Sequence, residues 1–296
     1  MAAVPTEVAA ASGGFEPPPA LAAERGGRVR ELAGIWIPAG ILLLIFAACF
    51  LWPVVGSVPP PIGGSILNAN LPLFSPHHLL GTDQTGNDEL SRLLYGGRAS
   101  LEVGLGVNGI GILLGGFLGA LAGYLGGWRD AVIMRVLDVL IAFPGLVLAL
   151  AVAEGLGPSE VHAIWALAFF SVPAFGRVAR AETLRVRELN FIAAAKLSGS
   201  GGARILARHI TPNILPQLIT FALLGMGIVI VLEGALSFLG LGIPPPHPSW
   251  GNMISAGESV LSAQPRFVFL PSAALFITVV CFNLLGDSLR ARWSGR

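Results

Sequence analysis

Long apolar runs separated by short charged clusters set the organisation of this chain. A membrane-crossing helix needs ~20 mostly apolar residues, because the hydrocarbon core is ~30 Å thick and each helical residue rises ~1.5 Å. The first such run is 34–55, within a stretch that has no charge between Glu31 and Asp83. A second lies between Glu102 and Arg129. A third runs from Val132 to Ala153 and carries Asp138 near its start. The fourth, between Glu160 and Arg177, is short and borrows from its flanks. Ile214–Leu239 forms the fifth, interrupted by Glu233, and the sixth lies between Arg266 and Asp287. The pattern predicts an all-α membrane protein with six transmembrane helices.

The basic residues orient these spans, because Lys and Arg concentrate in cytoplasmic loops. With both termini cytoplasmic, 15 of the 18 basic residues fall inside, and only Arg92, Arg98 and Arg266 fall outside. The opposite topology inverts that bias. Residues 1–33, Ala-, Gly- and Pro-rich, are predicted to be a disordered cytoplasmic tail. Residues 34–57 hold the first span, an uncleaved anchor too long for a signal-peptide core. An extracytoplasmic loop follows over 58–100, then a five-helix core over 101–290 containing a cytoplasmic loop at 181–212, then a cytoplasmic end at 291–296.

Composition narrows the function classes. Of 296 residues, 54% are hydrophobic and 12% charged, against ~25% charged in an average soluble domain. A net charge of +1 offers no basic field for nucleic acid. The two cysteines, Cys49 and Cys281, are far apart and each sits in an apolar run, which argues against a disulfide framework or a thiolate metal site.

Several positions inside the runs carry two readings. Gly111, Gly115, Gly119, Gly123 and Gly127 recur every four residues and share one slowly drifting helix face. Such a face lets another backbone approach closely, either within this subunit, the favoured reading, or from a partner. Asp138 lies three residues after Arg135, which predicts an intrahelical ion pair near the cytoplasmic interface. Glu233 has no basic residue nearby in its own helix. A charge at depth faces a cavity or a partner, so Glu233, with Asn108 in the second span, is a candidate for lining a translocation path.

The segment between the fourth and fifth spans is the most basic, with 7 of the 18 Lys and Arg residues. It predicts a short helix, a glycine break at 199–202 and a second short basic helix. Pro212 and Pro216 then admit the next span, since proline is tolerated in a first helical turn. Ala193, Ala194 and Ala195 form a flat small-residue surface that another protein could approach. A basic loop facing anionic lipid is the alternative on charge alone. The Pro-rich stretch after the fifth span, ending at Trp250, predicts a short interfacial element on the outer side.

The spacing Ala194-Ala195, Gly199, and then Arg208-His209-Ile210-x-Pro212-Asn213-x-x-Pro216 resembles the EAA loop of ABC importer permeases, with Ala193 where Glu is usual. Three further stretches resemble the C-type permease of the dipeptide/oligopeptide/nickel subfamily. They are His78 to Leu101, containing Gly81-Thr82-Asp83 and Gly86-Asn87-Asp88, where Arg is commoner at position 87; Asp138 to Pro144; and Ser237 to Ile254. The resemblance covers roughly residues 35–290 and implies a type I ABC importer permease fold in a bacterial inner membrane. It implies a heterodimer with a B-type permease, two ATPase subunits or one fused ATPase, and an extracytoplasmic substrate-binding protein. ATP and Mg would be bound by the ATPases, and this chain would hold no cofactor. The coupling loop would comprise Ala193, Ala194, Ala195, Lys196, Gly199, Arg204, Arg208, His209 and Pro212, with residues 188–209 transmitting the motion. Dipeptide or oligopeptide import is the expected function, with nickel or glutathione-type import as the alternative.

Catalysis within the chain is disfavoured. Lys196 is the sole lysine, flanked by Ala195 and Leu197, so no Gly-Lys-Ser/Thr phosphate cradle exists. Ser198-Gly199-Ser200-Gly201 only superficially resembles a nucleophile elbow, which would need Gly at 198. The histidines at 77, 78, 162, 209 and 247 are scattered, and His77-His78 reads as a polar loop pair rather than a metal site. A membrane scaffold or an intramembrane enzyme remains the reading from a different class.

Overall fold

The computed structural model describes residues 34–56, 58–142 and 145–294. The expected N-terminal tail, Phe143-Pro144 and the last two residues lie outside the described residues. Among those described, there is no β-strand, and the chain forms nine helices of eight residues or more. These are α1 (Gly34–Val55) and α2 (Glu89–Leu125), α3 (Gly127–Ile141) and α4 (Gly145–Leu156). They continue with α5 (Glu160–Arg187), α6 (Asn190–Leu197), α7 (Gly202–Phe238), α8 (Trp250–Glu258) and α9 (Arg266–Ser294).

Five of them, α1, α2, α5, α7 and α9, are long and apolar enough to cross a membrane. The expected third span is not one helix over 132–153. It is α3 and α4, bent by 77°, and six spans result if that pair counts as one.

Helix boundaries depart from the apolar runs where polar side chains extend them. α2 begins at Glu89, a dozen residues before the expected core, because Asp88 caps it by accepting from the Ser91 amide at 2.7 Å. At 37 residues, α2 is about 55 Å long and exceeds the bilayer core. α5 likewise runs past Arg177 to Arg187, its last turns held by ion pairs. The expected second basic helix after the glycine break is not separate; residues 202–210 are the first turns of α7.

Two seams hold the bundle. The glycine face of α2 packs on α5 within the chain. A Cβ at Gly115 would overlap the Val172 carbonyl, and one at Gly119 the Gly176 carbonyl. One at Gly123 would lie 2.9 Å from the Arg180 carbonyl, and one at Gly111 would strike Ser171 and Phe175. The α2 backbone widens into a π-turn over Gly111–Gly116 along this contact. Gly127 does not belong to the seam: Gly126 and Gly127 have φ of +66° and +58° and end α2.

Arginines of α5 lock its neighbours. Arg180 holds Asp130 of α3 through two bonds of 2.6 and 2.7 Å, and Arg187 donates to the Gly123 carbonyl at 2.8 Å. Arg177 pairs with Asp138 at 2.7 Å. The expected Arg135–Asp138 pair is therefore replaced by one between helices, from Arg177 of α5 to Asp138 of α3.

The second seam joins α1, α2, α7, α8 and α9 around Trp250. This indole is buried, donates to the Leu93 carbonyl at 3.0 Å, and fills the space that Gly97 leaves open. The expected interfacial element is thus a core element. Ser249 and Asn252 cap α8 reciprocally, and the indole follows them inward.

Candidate functional site

The expected path-lining residues lie inside the protein. Glu233 has 0% exposure. Ser100 of α2 donates to one carboxylate oxygen at 2.8 Å and Ser237 to the other at 2.6 Å. Those hydroxyls in turn accept from the backbone amides of Trp250 at 3.4 Å and Ile243 at 3.1 Å. Glu233 therefore joins α2, α7 and the entry to α8, with both carboxylate oxygens occupied. Asn108 is buried too; its amide donates to the Gly104 carbonyl at 2.9 Å and meets the Met226 sulfur at 3.4 Å. Both residues were expected on a path because sequence spacing shows depth but not partners. Ser237, one turn after Glu233, was a readable signal for a satisfied carboxylate.

The segment expected to couple to an ATPase has the opposite character. α5 ends at Arg187, and α6 starts at Asn190 after the two residues Glu188 and Leu189. Of the α6 residues only Ile192 is buried, in a cluster with Val186, Ile205, Ile210 and Ile214. Phe191, Ala193, Ala194 and Lys196 are exposed, Ala195 is partly so, and Leu197 is 91% exposed. A leucine so exposed beside two open alanines forms an apolar surface with a single cation on it.

The end of α6 is fixed by its cap. The Ser200 amide donates to Ala195 and the Gly199 amide to Lys196, each at 3.0 Å. This is a Schellman closure, which requires a left-handed residue, and Gly199 has φ +78°. No atom lies within 4 Å of a Cβ placed there, so the glycine is demanded by backbone conformation and not by space.

After the turn, Arg204, Arg208 and Pro212 are exposed on the first turns of α7, and His209 is half-buried. Those turns contain a π-segment, Leu206–Ile210. Asn213 donates to the His209 carbonyl at 2.6 Å. Of the seven basic residues in this region, Arg177, Arg180, Arg185 and Arg187 are spent on acids of the same chain. Lys196, Arg204 and Arg208 have no ion pair among the described residues. The structure thus separates the structural basic residues from the available ones, which charge counting could not do.

The opposite end of the bundle carries the 58–88 loop. It is tied to α9 by Arg266, which donates to the Leu71 carbonyl at 2.6 Å. His78 bonds Asp88 at 2.8 Å, a structural use for one of the paired histidines. Among the described residues no group of three or more His, Cys, Asp or Glu is arranged to hold a metal ion.

Long apolar helices, a buried polar cluster and an exposed short helix between two of the spans are the features of a polytopic membrane protein. Comparison with known proteins gives the family: residues 113–295 match the binding-protein-dependent transport system inner membrane component, and the chain belongs to that family. It is a multi-pass inner-membrane permease of the ABC importer type.

The glutathione transport system permease protein of Pectobacterium atrosepticum is 44% identical over 73% of this chain and 72% of its own length. The dipeptide transport system permease protein of Alkalihalophilus pseudofirmus is 42% identical over 73% and 71%. A probable D,D-dipeptide transport system permease protein of Escherichia coli is 40% identical over 76% and 75%.

Proposed function

We propose that this chain is one of two permease subunits of an ATP-driven importer for short peptides, with both termini in the cytoplasm. α6 is its coupling element: it docks on a cytoplasmic ATPase and passes the ATPase motion to α5 and α7. The observation that supports this most is the exposed face of α6, held to the bundle through Ile192 and its Schellman cap. Such a helix can take load without unfolding the core. Lys196, Arg204 and Arg208, unspent within the chain, supply the complementary charge.

The remaining parts lie in other chains: a B-type permease, two ATPases or one fused ATPase that bind ATP and Mg, and a binding protein on the 58–88 side. Movement of the two permeases then alternates access between the membrane faces. Dipeptides and glutathione are the cargo class, since relatives of 40–44% identity are named for them.

The experiment is uptake of labelled dipeptides and glutathione by cells lacking this chain, with and without its restoration. Uptake that returns only with the chain and only with ATP is the expected result. Peptide uptake indifferent to the chain, beside lost uptake of another cargo, would replace the cargo class.

A further inference from the structure

A cavity of about 300 Å³ opens at the start of α2, between the 81–89 turn, the Pro245-Pro246 loop, α8 and the head of α9. That volume is at the lower end of the range for small-ligand sites. One of its lining groups is out of keeping with the others. Glu89, the first residue of α2, is 2% exposed, yet its carboxylate has neither a hydrogen bond nor an ion pair among the described residues.

The neighbouring charged groups are committed elsewhere apart from one buried donor, the Nε of Arg266, which among the described residues has no hydrogen-bond partner and forms no ion pair with Glu89. Asp83 accepts from the Thr85 and Asn87 amides at 2.8 and 2.9 Å and lies 3.3 Å from the Arg92 guanidinium. Arg92 also donates to the Pro61 carbonyl at 3.3 Å. Asp88 caps α2 and bonds His78. Arg266 donates to the Leu71 and Leu80 carbonyls. A buried carboxylate with no donor is costly, and the usual remedy is a cation or a donor in the adjoining space.

The rest of the wall selects the kind of cation. Met253, Phe267, Pro245 and Pro246 line the cavity with apolar surface. The wall also carries Asp83 and Arg92, which pair with each other at 3.3 Å, so among the described residues Glu89 is the one unpaired charge of the lining. An unpaired carboxylate beside apolar surface suits a primary ammonium on a short carbon chain. A hydrated metal ion would need several oxygen ligands, and Asp83 is already occupied.

We propose that this cavity is an alkylammonium site, with Glu89 accepting from the ammonium and Met253 and Phe267 covering its carbon chain. The natural bearer is the amino terminus of a short peptide entering the permease; that clause rests on the peptide-import reading, whereas the ammonium site does not.

The test uses the assembled permease–ATPase complex in nanodiscs, without the binding protein. Calorimetry measures n-butylammonium, glycyl-leucine and N-acetylglycyl-leucine against wild type and Glu89→Gln, whose folding is checked by thermal unfolding. The first two ligands are expected to bind wild type, the acetylated peptide not, and Glu89→Gln is expected to weaken binding by about tenfold or more, as loss of a charged hydrogen bond does.

Equal binding of the acetylated peptide, or unchanged binding by a folded Glu89→Gln protein, would overturn the proposal, as would no binding of n-butylammonium. The acetylated arm needs no variant and decides the matter even if Glu89→Gln does not fold. Binding of n-butylammonium without glycyl-leucine would keep the site and overturn its peptide bearer, and uptake of glycyl-leucine by intact cells tests the cargo reading separately.

Discussion

Glu233, a charge within the fifth apolar run, and α6, a short helix between two spans, have opposite fates. Glu233 sits where α2, α7 and α8 meet, has no exposure and has both oxygens occupied by serine hydroxyls. α6 buries one residue of eight and leaves the others partly or fully open. Position in a hydrophobicity profile does not separate the two; the count of satisfied partners does. A polar group whose hydrogen bonds are all met by its own chain maintains the fold, and a surface left unmet is available to another chain.

The contrast can be sharpened by substitutions on the two sides. The largest effect is expected on the closed side, at the α2–α5 seam. Gly119→Leu places a side chain where the Gly176 carbonyl lies and should destabilise the protein by about 3 kcal/mol or more. Thermal unfolding in detergent would show it, together with loss of folded yield. Next comes Glu233→Ala, which strands the Ser100 and Ser237 hydroxyls and should cost roughly 2 kcal/mol. Glu233→Gln keeps one acceptor oxygen and replaces the other with an amide donor, so one serine hydroxyl must turn to accept; it should cost less than Glu233→Ala and leave uptake within about twofold of wild type. A large uptake defect in a Gln variant of normal stability would return Glu233 to the path.

A smaller effect belongs to the open side. Gly199→Ala forces a Cβ into a left-handed residue and should cost about 1 kcal/mol, confined to the cap of α6. Hydrogen exchange should rise over residues 190–200 and remain unchanged in α2 and α5. Exchange that rises throughout the bundle would mean that α6 is part of the core.

Much of this architecture was legible in the sequence, for physical reasons. A bilayer demands long apolar helices, so five of the expected spans are present as long helices. The glycine spacing in α2 foretold a close contact, and the contact is with α5 of the same chain. The break and exposed short helix between α5 and α7 followed from Gly199 and the alanines before it.

What was missed depends on partners remote in sequence. The one local exception is the start of α2 at Glu89, set by an Asp88-x-x-Ser91 cap that lies outside the apolar run. Asp138 found Arg177, 39 residues away, over Arg135. Ser100 reaches Glu233 across 133 residues. Trp250 looked interfacial until the gap at Gly97 showed where it goes.

The most direct test of the account is Ala194→Trp on the exposed face of α6, measured as ATP-driven peptide uptake alongside thermal unfolding. Ala194 is exposed, so a large side chain there should leave the unfolding temperature within about 2 °C, as surface substitutions do. The same side chain should obstruct docking and reduce uptake at least roughly tenfold, the equivalent of ~1.4 kcal/mol of lost docking energy. Normal uptake by a stable Ala194→Trp protein would contradict the assignment of α6 as the surface through which ATP hydrolysis is coupled to transport.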